Sequence, residues 1–195
     1  MSSTNPHSDG NLALIKYGKD KNGKDDVTVP TGALSIIWGN DQRYWKNPCT
    51  FMFNRDSAVA ELIQVCWLEV TGSIKLRPEM KGKKYEVGFE VSLTPDAFGW
   101  SNSPVYIMGK RGKKPIWTKM NLANNNKGIF KIPETPLVVA PPEDGSDNDK
   151  VYFGLYEVWS GRWKGGLKIH KAFVREFTGN SNHKTGSESP NKISS

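Results

Sequence analysis

The chain is short of the side chains from which active sites and metal sites are built. Its 195 residues include three histidines and two cysteines. His7 and His183 lie in polar ends, and His170 falls on the polar side of the last alternating segment. No Gly-x-Ser-x-Gly, no phosphate-binding Gly-Lys loop, no His-Glu-x-x-His and no Cys-x-x-Cys occurs. The expectation is a non-catalytic protein with no cofactor and no metal. A carboxylate pair assembled from separate strands is the arrangement such a reading leaves open. Two cysteines make no disulfide framework, and Cys49 and Cys66 are expected as free thiols. There is no basic start leading into an apolar run, no Asn-x-Ser/Thr sequon and no stretch of 18 apolar residues. Those absences point to the cytoplasm, with the nucleus also open, and against a membrane span.

Helical periodicity is also scarce. Ser57–Gln64 (SAVAELIQ) is the one stretch with a helical look. What fills the chain instead is alternation of period two. In KKYEVGFEVSL, Tyr85, Val87, Phe89, Val91 and Leu93 fall on one face and charged or small residues on the other. Similar runs predict strands near Leu34–Trp38, Leu62–Val70, Ile74–Leu76, Val105–Met108, Ile116–Leu122, Ile129–Ile132, Val151–Val158 and Leu167–Phe177. Gly72-Ser73, Arg77-Pro78, Gly112 and Asn124-Asn125-Asn126 separate them. The fold class is therefore all-β: a β-sandwich of jelly-roll type with at most a short helix. Residues 1–26 and 178–195 are polar and poor in apolar area. They are expected to be disordered and dispensable, leaving one domain over 27–177. The Pro-rich acidic stretch 133–149 reads as a long loop.

The net charge is +7, and Lys110–Lys114 (KRGKK) concentrates part of it around Gly112. It suits a solvated hairpin tip, or a weak nuclear-import signal. A positive field also admits RNA or an acidic protein as partner, although no RNA-binding motif appears.

The chain is rich in tryptophan, with seven. Trp67 suits a packed or half-packed place in a central strand, and Trp117 an outer face. Trp38 with Tyr44 and Trp45, and Trp159 with Trp163, sit where strands give way to loops, the positions that gather at the rim of a sandwich.

Four stretches in order carry a resemblance: LSIIWGNDQRYW (Leu34–Trp45), ELIQVCWLEVTGSI (Glu61–Ile74), YEVGFEVSLTPDAFGW (Tyr85–Trp100) and GLYEVWSGRWKGGLKIHKAFVRE (Gly154–Glu176). Together they resemble the phloem protein 2 lectins, the Nictaba-like family. The resemblance implies a jelly-roll sandwich, cytoplasmic or nucleocytoplasmic residence, and binding of N-acetylglucosamine oligomers or N-glycan cores. Trp38 and Trp45 match the first motif's two tryptophans, and Glu157 matches the acid of the last block. Some members carry a further Trp where this chain has Asn47, and an acid where it has Lys150.

A sugar ring offers an apolar C–H face to an indole and a hydroxyl edge to carboxylates, amides and ammonium groups. On that basis the expected carbohydrate site is Trp45 as stacking face, flanked by Trp38 and Tyr44. Asn40 and Asp41 lie in the intervening loop, Glu157 accepts a hydroxyl, and Trp163 and Lys164 stand nearby. Each has a plainer use: Trp38 and Trp163 as core, Asp41 as a turn cap, Glu157 in an ion pair. A lectin of this kind would take oligosaccharides or glycoprotein glycans, with a homodimer compatible. The alternative is a sugar-silent scaffold that binds protein or RNA through Lys110–Lys114 and Arg162–Lys164.

Overall fold

In the computed structural model, which describes residues 5–46, 59–123, 128–143 and 149–179, the chain forms twelve strands. They are β1 (Lys16–Lys19), β2 (Asp25–Pro30), β3 (Ser35–Ile36), β4 (Trp45–Lys46), β5 (Ala60–Leu62), β6 (Leu68–Lys75), β7 (Tyr85–Phe98), β8 (Val105–Lys110), β9 (Pro115–Met120), β10 (Phe130–Val139), β11 (Lys150–Glu157) and β12 (Gly165–Glu176). Among the described residues there is no α-helix, only three short 3-10 turns. None is long and apolar enough to cross a membrane.

Two antiparallel sheets pack into a sandwich. In the seven-stranded sheet β12 is central: β7 and then β10 lie on one side, and β2–β1 and β5–β4 share the other. The five-stranded sheet runs β3-β6-β11-β8-β9. Most connections cross between sheets, so the inward rows of both make one core. Tyr85, Val87, Phe89 and Val91 of β7 meet Val151, Phe153 and Leu155 of β11, with Phe89 and Phe153 edge to face at 6.0 Å. In β12 a register shift between Ile169 and Lys171 resets the alternation. Leu167 and Ile169 face inward before it, and Ala172 and Val174 after it. His170 occupies that bulge. Its Nε2 lies 2.8 Å from Ser92 Oγ, and burial lowers its pKa.

The described part of the N-terminal segment, residues 5–26, pairs with the sandwich where disorder is expected. β1 pairs with β2, the Tyr17 hydroxyl donates to Lys75 O at 2.8 Å, and Arg77 covers the Tyr17 ring. Upstream, Ser8 and Ile36 exchange both backbone bonds, and Asn11 N–H donates to Gly32 O. Composition misled because backbone pairing to the β3 edge holds this strap, with Leu14, Ile15 and Tyr17 alone adding partial apolar contact to the core. Residues 180–195, expected to be disordered, lie outside the described residues.

Asp25 shows how far the N-terminal segment enters the fold. Burial would raise its pKa, but hydrogen bonds from Lys19, Lys83 and the Tyr85 hydroxyl outweigh this and hold it at about 2. A carboxylate depressed in the folded state contributes stability above its unfolded value near 3.8, and loses it as pH falls toward 2. The contribution is on the order of 2 kcal/mol. Asp25→Asn should lower the urea midpoint at pH 7 and flatten the fall in stability between about pH 4 and pH 2. An unchanged acid limb in the variant would show that Asp25 is not the responsible group.

Other expectations are corrected in detail. Gly72-Ser73 does not break a strand: β6 runs through it, because the Phe153 ring occupies the space where a Cβ at Gly72 would lie, 2.6 Å away. Ala60–Leu62 is strand, not helix, with Ala60 and Leu62 buried and Glu61 paired to Lys46 and Lys168; residues 57 and 58 lie outside the described residues. The Pro-rich stretch is strand as far as Val139, paired with β7 through a register shift between Ile132 and Leu137. Gly112 does turn the β8–β9 hairpin with φ 86°. The Arg111 guanidinium there is buried on the carbonyls of Lys81 and Lys83, so it is no part of a basic surface. The Asn124–Asn126 turn and Cys49 lie outside the described residues, and Cys66 is a half-buried free thiol.

Candidate functional site

The loops Ile37–Tyr44, Ile63–Trp67 and Val158–Trp163 gather at one end of the sandwich. Ile63 N–H donates to Tyr44 O, and Val65 exchanges both backbone bonds with Lys164. The expected site residues therefore lie in one neighbourhood, but they do not form one surface.

Trp45 is interior, 1% exposed, and its indole N–H donates to Ile37 O at 3.2 Å. The expectation of a solvent-facing platform at Trp45 is corrected by that burial. β4 places Trp45 opposite Leu62, with Lys46 on the outer side. Trp38 is half-buried and is the one described non-glycine residue with positive φ, 60°. Its N–H donates to His7 Nδ1 at 3.0 Å, and its ring lies between His7 (4.9 Å) and Tyr44 (5.7 Å). The sharp turn falls on Trp38, whereas Gly39 supplies space: a Cβ there would sit 2.8 Å from Ser8. Asn40 is tied to the strap through Asn5 O and His7 O. Asp41 accepts a forked pair of bonds from Arg43, which lowers its pKa.

Glu157 and Lys164 are a buried ion pair, 2% and 0% exposed. Glu157 continues the inward row Val151, Phe153, Leu155, so its carboxylate enters the core. There it accepts from Ser160 N–H and Ser160 Oγ as well as Lys164, while Lys164 Nζ also donates to Cys66 O. Neither side chain can reach a ligand, so both are corrected from binding groups to a lock on the loop between β11 and β12. Trp163 is exposed on that loop.

The broad solvent-facing aromatic surface lies on the outer side of the five-stranded sheet. Cross-strand register aligns Glu69, Tyr156, Tyr106 and Lys119 in one row, and Thr71, Gly154, Met108 and Trp117 in the next. Trp117 packs on Tyr156 at 5.4 Å. Trp159 meets Tyr106 at 4.7 Å and Trp117 at 6.4 Å, both edge to face. Trp117 and Trp159 stay 48% and 60% exposed. Trp67, expected to be packed or half-packed, is 47% exposed, and its indole N–H donates to Glu69 Oε2 at 2.9 Å. Burial, then the Glu69 charge, raises the Tyr156 pKa, so this phenol is a hydrogen-bond donor at neutral pH. Rings presenting open faces beside a carboxylate, a phenol and a lysine can stack an apolar face and bond a polar edge.

The sequence pattern of the phloem protein 2 family matches residues 24–176. The chain belongs to the phloem protein 2 family. Phloem protein 2-like A9 of Arabidopsis thaliana is 41% identical over 83% of this chain and 92% of that protein. Phloem protein 2-like A1 of the same plant is 29% identical over 83% of this chain and 65% of that protein. A protein named lectin from Luffa acutangula is 41% identical over 59% of this chain and 56% of its own length. In this phloem protein 2 domain the family match runs from just before β2 to the end of β12, so the strap and β1 lie outside it. Of the two family departures, Asn47 lies outside the described residues and Lys150 opens β11 opposite Lys75. The aromatic row escaped sequence reasoning because Tyr106, Trp117 and the Tyr156–Trp159 pair come from three different stretches of the chain. The signal available was alternation, which puts Tyr152 and Tyr156 opposite the inward Phe153 and Leu155.

Proposed function

We propose that this phloem protein 2 member is a non-catalytic glycan-binding protein for oligosaccharides of N-acetylglucosamine type. The observation that carries this reading is the exposed Trp117–Trp159–Tyr106–Tyr156 platform with Glu69 at its side. Membership of a family with a lectin-named relative supports it. Indole faces left open by edge-to-face packing suit the C–H face of a pyranose. The Glu69 carboxylate and the Tyr156 phenol suit its hydroxyls and acetamide.

A shallow site of this kind should bind at about 1 mM to 1 μM, or about 4–8 kcal/mol. Calorimetry with chitotriose tests it. Trp159→Ala and Trp117→Ala should each weaken binding about tenfold or more. Each should leave stability within about 0.5 kcal/mol, because both rings are exposed. Binding that survives both changes would move the site to the Trp38–Tyr44 loop. Absence of chitotriose binding together with salt-sensitive binding of RNA would favour the scaffold alternative.

A further inference from the structure

We infer that the groove between the N-terminal strap and the outer face of the five-stranded sheet is a second subsite, which holds the sugar rings that continue past the aromatic platform. The inference rests on the glycan reading above. Gly10 and Leu12 of the strap form one wall, and Thr71, Ser73, Tyr152 and Tyr156 line the sheet side. The groove encloses ≈ 350 Å³, within the range of ligand sites of about 300–1,000 Å³.

Tyr156 makes it continuous with the platform. Its ring leans back over Gly154, where a Cβ would come within 2.5 Å of it, and its other neighbour is Trp117. Only glycine at 154 lets that ring join the two areas. The groove's chemistry also differs from the platform's. It offers the hydroxyls of Thr71 and Ser73, neither engaged by another side chain or backbone group among the described residues, beside the Tyr152 ring. The two areas together suit a chain of sugars with one ring stacked and the next bonded at its hydroxyl edge.

The strap is set in place for this. Gly10 N–H donates to Ser35 Oγ at 3.2 Å, and a Cβ on Gly10 would meet Ala33 O at 2.3 Å, so the strap lies against the Thr31–Ala33 turn that leads into β3 as closely as a backbone can. Leu12 stands at the lip, 57% exposed, and gives the wall an apolar face for sugar C–H groups. This wall comes from residues before the family match over 24–176, and the sheet side from residues within it.

The test is calorimetry on the full chain with β-1,4-linked N-acetylglucosamine oligomers of two, three and five rings. The wild type should gain affinity with length. Thr71→Val with Ser73→Ala should abolish that gain, about tenfold at five rings, and leave the two-ring affinity unchanged. Leu12→Ala, outside the sandwich core, should give the same signature without loss of fold. Trp159→Ala should weaken every length equally. A length gain that persists in both groove variants would overturn the subsite while leaving the platform reading intact. If no oligomer binds the wild type, the glycan reading fails and the subsite with it.

Discussion

Glu157→Gln should destabilise the domain by about 3–5 kcal/mol, the usual cost of stranding one partner of a buried ion pair. The carboxylate is interior because β11 alternates, and position 157 inherits the inward side from Val151, Phe153 and Leu155. A glutamine keeps the shape and loses the charge, which leaves the buried Lys164 ammonium with neutral carbonyl acceptors and no counter-charge. Lys164→Met should cost a similar amount by stranding the carboxylate. In a domain of this size either change should lower the melting temperature by roughly 10–15 °C. Glu157→Leu combined with Lys164→Met should recover most of the loss, since replacing both charges by apolar groups is close to neutral. Recovery stays incomplete because Cys66 O loses its donor, whereas the exposed Ser160 can turn to water. Urea midpoints of the three variants read this directly. Equal midpoints for wild type and Glu157→Gln would mean that the pair is solvated.

That pair also shows where sequence reasoning stops. An acid in an apolar strand needs a compensating group, and the sequence offers an ion pair or a ligand equally well. Only the crossing of Val65 with Lys164 brings the ammonium to it. The long strands were legible for the opposite reason. β7 and β11 bury one face each, so period two is written into them, and β12 follows it on either side of its bulge. The strap and β1 are hard to read in the sequence because backbone hydrogen bonds hold them to an edge, and β5 because three residues are too few to tell a strand from a helical turn. The aromatic platform lies between these cases. Each ring's outward placement follows from alternation, but strand order alone makes Trp117, Tyr156 and Tyr106 neighbours, and strand order is not encoded in periodicity.

Trp45→Ala should cost about 3–5 kcal/mol of stability, as large aromatic truncations in a core do. Polar neighbours on both sides make Trp45 look superficial in sequence, yet two facts of local geometry drive it inward. The turn through Trp38, with Asp41 N–H donating to Trp38 O and Tyr44 N–H to Asp41 O, brings the chain back at β4. Pairing with β5 then sets Trp45 opposite the buried Leu62. The indole N–H finds Ile37 O, so no polar atom of the ring is left without a partner. Truncation removes the ring and orphans that carbonyl, and the Trp38–Tyr44 pair packed against the core loses support. Trp45→Phe separates the two roles. It keeps most of the buried area and gives up the hydrogen bond, for a cost of about 1–3 kcal/mol. With the fold retained, Trp45→Phe should bind chitotriose as the wild type does, because the platform rings at Trp117 and Trp159 are untouched. A folded Trp45→Phe that has lost the sugar would return the site to the Trp38–Trp45 loop.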